Sequence, residues 1–294
     1  MQRQRRIWFT GAVICLVLFG AVELASSARA PDVHFIATPQ YVVNEMLELA
    51  GTNQNDVVYD LGCGDGRFVI TAVKNFGARG VGIDIDPERI RESRVNARKA
   101  GVDDRVTFHE QDLFATDISP ATIVALYLLP ELNLSLRPRL FKQLKPGTRI
   151  LSHDFDMGDW KPDVVEQLGE STYYYWVLPA DVKGRWHMSA PALGKDGEYI
   201  VEVVQNFQEI RVTLLTKQAD ALISNAKIKG DTISFFLGKG FGRNKTGMFF
   251  KGKVTGNTIS GNVQVEINPF YSHLATEEDV SIIGNHGWTA VRGK

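Results

Sequence analysis

The stretch VVYDLGCGDGRFVI, Val57 to Ile70, constrains the fold more than any other part of the chain. An apolar run leads to Asp60, three glycines follow at alternate positions (Gly62, Gly64, Gly66), and an apolar helical pattern begins directly after them. A strand, a glycine-rich turn and a helix in this order form the mononucleotide cradle of a doubly wound α/β fold, whose ligands sit outside the carboxyl ends of the strands. The spacing departs from the dinucleotide fingerprint G-x-G-x-x-G: the third glycine comes one place early, Asp60 stands two residues ahead of the first, and Asp65 lies within the turn. Two carboxylates beside the cradle would repel a pyrophosphate and suit a cation, such as an ammonium beside a sulfonium.

The neighbouring sequence supports this framework. An apolar helix face (Val42, Val43, Met46, Leu47, Leu49) precedes the loop, and the strand GVGIDI, the basic helix PERIRESRVNARKAG, the strands RVTFHEQD and TIVALYLL, a helix around LRPRLFKQLKPG and the strand TRILSHDF follow it. Strands alternating with helices of this length predict right-handed crossover units on a mostly parallel, Rossmann-like sheet. The pattern predicts a further strand at TYYYWVLP and no seventh strand after it. Beyond residue 181 the texture changes to eight short alternating runs broken by Gly, Asn and Asp, from RWHMSA to GWTAVRG. These predict an all-β antiparallel meander, which closure into an eight-stranded barrel would relieve of exposed edges. KIKGDTIS and KVTGNTIS read as one hairpin unit used twice. The expected organisation is therefore 1–30, 31–181 and 182–294.

YDLGCGDGRF resembles the first motif of the class I S-adenosylmethionine-dependent methyltransferases, and three further positions agree in order. VGIDID ends the next strand, where Asp84, with Ile85 beside it, matches the family's acid that accepts hydrogen bonds from the ribose hydroxyls. HEQDLF ends the third, where Asp112, followed by Leu113, corresponds to the acid facing the adenine amino group. TIVALYLLPELN ends the fourth, where the family places substrate-facing residues, here Tyr127, Pro130 and Glu131. The resemblance implies S-adenosyl-L-methionine as cofactor, held by Thr38, Asp60, Gly62, Cys63, Gly64, Gly66, Asp84, Ile85, Asp112 and Leu113. Thr38, with Pro39, is expected to close over it, and Cys63 to act as a small filler between glycines.

Methyl transfer from a sulfonium is an in-line displacement, so the protein's task is to align the acceptor and exclude water. The Asn/Asp-Pro-Pro-Tyr/Phe motif of enzymes that methylate base or glutamine amino groups is missing here; Tyr127-Leu-Leu-Pro-Glu131 stands in its place. TPQYVVNEML, LYLLPELNLSLRPRL and SHDFDMGDW together are similar to a compact group of protein-lysine methyltransferases whose eukaryotic members are membrane-anchored. That resemblance implies a protein lysine as acceptor. A lysine must lose its proton before attacking, and an aromatic channel that lowers its pKa would help; Tyr127, Phe155 and Trp160 are placed to line one, with Asp154 or Asp156 to orient the amine. Two other readings stay open: a small-molecule or lipid methyltransferase, and a ligand-binding protein without turnover.

The 33 basic and 34 acidic residues leave no global field toward nucleic acid, and no nucleic-acid partner is expected. Six scattered histidines and two cysteines predict neither a metal site nor a disulfide. The head Arg3, Arg5, Arg6, the apolar run at 7–22 and Ala28-x-Ala30 follow secretory order, so an export signal or a membrane anchor is expected, with cleavage and the side of the membrane left open. Gly184-x-Trp186 and the late Arg292 resemble lipocalin-like barrels, in which the arginine stacks over the tryptophan. Either a packed plug or a small apolar ligand can fill such a barrel.

Overall fold

A computed structural model describes residues 35–191, 198–215, 221–239, 246–267 and 283–293. The segment 1–30, with its signal or anchor pattern, lies outside them. Among the described residues no helix is long and apolar enough to cross a membrane.

The first half alternates as its sequence predicts: α1 (Gln40–Leu49), β1 (Val57–Leu61), α2 (Arg67–Phe76), β2 (Arg79–Asp84), α3 (Pro87–Ala100), β3 (Val106–Glu110), β4 (Ile123–Leu126), α4 (Pro130–Gln143) and β5 (Arg149–His153). Asp86 caps α3 by accepting from the Glu88 amide, ahead of Pro87 at the first helical position. The helix expected around LRPRL begins earlier, at Pro130, with Leu129 as its N-cap.

The sheet runs β3-β2-β1-β4-β5-β7-β6, with β1 to β5 parallel. It is a seven-stranded sheet, which corrects the expectation of a shortened one. The additional strand is β6 (Val164–Leu168), which forms an antiparallel hairpin with β7 (Ser171–Val177); β7 in turn pairs antiparallel with β5. VVEQL lies at the sheet edge with its middle residues exposed, so it lacks the apolar alternation by which a half-buried strand announces itself. One apolar layer holds α1, α2 and α3 against the sheet through Val42, Leu47, Val69, Val73 and Ile90. The other holds α4 through Leu136 and Leu140, beside Ile118, Trp160 and Trp176. The strand order reverses between β1 and β4, and that reversal opens the crevice in which doubly wound sheets bind ligands.

The second sheet is an eight-stranded antiparallel meander: β8 (Gly184–Ser189), β9 (Glu198–Asn206), β10 (Glu209–Leu214), β11 (Ala221–Lys229), β12 (Thr232–Lys239), β13 (Thr246–Thr255), β14 (Thr258–Ile267) and β15 (Gly284–Arg292). Its order, β10-β9-β8-β15-β14-β13-β12-β11, pairs first strand with last, and β10 and β11 then face each other, nearly closing the barrel. The two similar hairpins have two-residue turns, with Gly230 at φ 56° and Gly256 at φ 58°. The Arg292 guanidinium carbon lies 4.7 Å from the Trp186 ring centroid, the stacking that Gly184-x-Trp186 implied. Trp186, Tyr199, Phe235, Phe250 and Trp288 fill the interior as a packed core. The β9–β10 turn seats this barrel on the first sheet: Trp160 Nε1 donates to Gln208 Oε1 at 2.8 Å, and Phe207 stacks on the Trp160 ring.

Candidate active site

The crevice at the strand reversal is a cavity of about 750 Å³, a size typical of small-molecule sites. Its walls come from the tips of four parallel strands: Asp60 and the glycine loop after β1, Asp84 and Ile85 after β2, Asp112 and Leu113 after β3, and Tyr127 to Leu129 after β4. The segment Phe35 to Thr38 covers it from the side of α1. Thr38, Asp60, Gly62, Cys63, Asp84, Ile85, Asp112, Leu113 and Tyr127 thus come together as the sequence predicts.

Gly64 and Gly66 do not themselves line the cavity; they shape the loop that carries Gly62 and Cys63 into its wall. Gly64 has φ 52°, and a Cβ there would lie 2.0 Å from Phe35; Gly66 has φ 81°, and a Cβ there would meet Phe108 and Ser93. Only glycine satisfies both the left-handed backbone and the close approach. The Gly64 amide donates to Asp84 Oδ2 at 2.9 Å, and the Asp86 amide to Oδ1 at 2.9 Å, so the Asp84 carboxylate is fixed by backbone from two loops. Asp112 holds its own turn by accepting from the Phe114 amide.

Asp60 is 7% exposed, and burial, then Asp84, then Asp65 push its pKa up to about 8. Burial disfavours the charged form of Asp60, and the two neighbouring carboxylates add to the effect, so the group is held mostly protonated near pH 7. The count of two free carboxylates beside the cradle needs correction, however, because Arg67 embraces Asp65, with Nη2 to Oδ2 at 2.6 Å. Arg67 Nη1 also donates to the Thr38 carbonyl, which ties the covering segment to the start of α2. The acids of the cavity not held by Arg67 at this end are therefore Asp60 and Asp84. Among the described residues no group of three or more His, Cys, Asp and Glu is placed to hold a metal ion.

Tyr127 lines the cavity after β4, with His153 and Phe155 behind it outside the lining. The Tyr127 hydroxyl donates to Asp154 Oδ2 at 3.2 Å, and its ring lies 4.1 Å from that of His153 and 6.1 Å from that of Phe155. Burial, then the charge of Asp154, raise the Tyr127 pKa, so it remains a phenol. Pro130 and Glu131 do not line the cavity; they are exposed in the first turn of α4. Trp160 does not line it either: fully buried, it packs against Phe141, Trp176 and Phe207 where the two sheets meet. Asp156 is exposed. His153 does not line the cavity but touches two residues that do, Thr38 and Tyr127; sequence reasoning does not single it out, although the SHD triplet at the end of β5 contains the signal.

The ANTKMT methyltransferase domain family matches residues 60–164. A protein-lysine N-methyltransferase of Saccharolobus islandicus is 45% identical over 153 residues, covering 50% of this chain and 95% of that protein. The adenine nucleotide translocase lysine N-methyltransferase of Mus musculus is 29% identical over 153 residues, covering 52% of this chain and 65% of that protein. A crystal structure described as an RNA methyltransferase from Salinibacter ruber with S-adenosyl-L-homocysteine is 55% identical, covers 50% of this chain and 96% of its own, and has a TM-score of 0.49.

Proposed function

The chain belongs to the ANTKMT methyltransferase-domain family of class I S-adenosylmethionine-dependent methyltransferases, and we propose that it methylates lysine side chains of a protein. The observation that carries this reading is the lining of one cavity by Asp60, Asp84 and Asp112 at successive strand tips together with the Tyr127 ring, which packs on His153 behind it. The relatives named for lysine methylation support the acceptor class.

S-adenosylmethionine supplies, when bound, an electrophilic methyl group on a sulfonium. The residues present fit it: a loop that only glycine can form, and a buried carboxyl, Asp60, whose charged form a cation beside it would favour. Asp60 and the Gly62–Gly66 loop would hold its amino-acid part, Asp84 and Ile85 its ribose, and Asp112 and Leu113 its adenine. Asp84 spends one lone pair of each oxygen on the amides of Gly64 and Asp86, which leaves further lone pairs for ribose hydroxyls. Tyr127, anchored through Asp154, would present a ring face to an acceptor amine and exclude water around it. An apolar surround lowers an amine's pKa by disfavouring its charged form.

Incubating the purified full chain with isotopically labelled cofactor and candidate proteins, followed by intact-mass and peptide analysis, tests the proposal. Methyl increments localised to lysine are expected; label recovered in RNA or a small molecule instead of protein would contradict it. The basic head and apolar run at 7–22 support a membrane-tethered or exported placement, which fractionation with protease protection would test.

A further inference from the structure

Behind Tyr127 lies a chain of polar contacts separate from Asp60, Asp84 and Asp112. Thr38, which lines the cavity, places its Oγ1 3.1 Å from Nδ1 of His153. His153 is 2% exposed, and its Nε2 is buried without a hydrogen-bond partner, 3.5 Å from Asp154 Oδ2. Asp154 holds a left-handed backbone, φ 58°, in which a non-glycine residue is uncommon. Its position is enforced from both sides: its amide donates to the Thr172 carbonyl at 2.6 Å, and its Oδ1 accepts from the Thr172 amide at 2.9 Å. A residue held in a strained conformation by its surroundings points to a demand on its side chain.

We propose that Thr38, His153 and Asp154 form a proton relay that takes the proton from the substrate ammonium; this rests on the lysine reading above. The carboxylate beside Nε2 favours the tautomer with its proton there, so Nδ1 presents a lone pair to the Thr38 hydroxyl. Thr38 Oγ1 then has lone pairs to offer into the cavity, at the end where Tyr127, whose ring touches His153, lies. The proton balance is simple. An ammonium N–H bond breaks and its electron pair stays on nitrogen as the attacking lone pair. Its proton passes to Thr38 Oγ1 while the hydroxyl proton passes to Nδ1, and the resulting imidazolium is balanced by Asp154 until it returns the proton to solvent. Each further methylation of the same nitrogen needs the same step, because the amine gains a positive charge whenever it accepts a methyl group.

The groups that face His153 are consistent with a neutral imidazole at rest. Asp154 adjoins it on its own chain, Tyr127 approaches from the end of β4, and Tyr173 on β7 lies opposite in register. From α2 the Arg67–Asp65 pair reaches it only through the Thr38 carbonyl. Burial lowers the His153 pKa and Asp154 works against that shift.

Two measurements on the full chain test the relay. Long-range nitrogen–proton NMR of the histidine rings, with His153→Gln to assign the signal, reads the tautomer without any substrate. A neutral Nε2–H ring at pH 7 is expected, and an Nδ1–H ring overturns the proposal. Methyl transfer to poly-L-lysine at saturating cofactor, from pH 5.5 to 9.5, reads the function. Thr38→Val, measured at saturating cofactor so that any loss of cofactor affinity does not enter, should lower kcat about 100-fold, the low end of general-base effects. His153→Gln should shift the acidic limb of the profile to higher pH, so that activity follows the abundance of the free amine. A wild-type profile in His153→Gln, or a Thr38→Val kcat within about threefold of wild type, overturns the relay. Absence of any transfer to lysine by the wild-type chain counts against the lysine reading, and the tautomer then decides the relay independently.

Discussion

The two sheets of this chain use their apolar residues in opposite ways. The barrel closes first strand against last and fills itself: Trp186, Phe235, Phe250 and Trp288 occupy the interior that a ligand would need. The parallel sheet cannot do this where its strand order reverses between β1 and β4, and it lines the resulting cavity with Asp60 and Asp84. Packing that is complete yields stability, whereas a topological gap carrying buried acids yields a binding site that stores destabilisation. The comparison teaches that the stability of the molecule and its chemistry are separable by substitution.

The largest expected effect is on the stable side. Trp186→Ala should cost about 3–5 kcal/mol in unfolding free energy, because it empties a fully buried indole site and removes the platform under Arg292. Chemical denaturation followed by barrel tryptophan fluorescence checks it. Cofactor affinity of the remaining folded protein should be unchanged, since the site lies in the other sheet; a loss there would break the separation. Next, Asp84→Ala should weaken S-adenosyl-L-homocysteine binding by about 1.5–3 kcal/mol, as expected when charge-assisted hydrogen bonds are lost. Calorimetry measures it, and an unchanged affinity would remove Asp84 from the site.

Asp60→Asn should work in the opposite direction on the two properties. The folded pKa of about 8 lies above the ordinary carboxylate value, so the fold favours the protonated form. That contribution is complete at pH below about 4 and is lost as pH rises through 8. The asparagine variant should therefore gain stability relative to wild type by up to about 1.4 kcal/mol per pH unit across that window, while binding cofactor worse. Thermal unfolding at several pH values checks this, and a stability difference that does not grow with pH would contradict it. The smallest expected effect lies where the sheets meet: Gln208→Ala removes the partner of the buried Trp160 indole and should cost about 1–2 kcal/mol. A concurrent drop in turnover would mean that the barrel supports the catalytic sheet more closely than this comparison allows.

What the sequence made readable was local. The glycine loop, Asp84 two places before Asp86, and the barrel hairpins are set by residues within a few positions of each other, and backbone geometry decides them. The remainder depends on distance or on pairing. Thr38 and His153 meet across 115 positions, a contact that no window of sequence contains. Asp65 reads as a free carboxylate because nothing in a glycine turn says that Arg67 folds back onto it. Position after β5 suggests Trp160 for the cavity, but the Gln208 amide and the surrounding rings draw it to the meeting of the two sheets. β6 escapes because an edge strand with exposed faces carries no hydrophobic period.

Calorimetric titration of the full chain with S-adenosylmethionine near pH 7, repeated in buffers of different ionisation enthalpy, tests the account's central claim most directly. A cation settling beside a largely protonated Asp60 should expel its proton, so binding should release close to one proton, and Asp60→Asn should abolish that release. Binding without proton release, or tighter binding by a phosphate-bearing nucleotide that the sulfonium cannot displace, would contradict it.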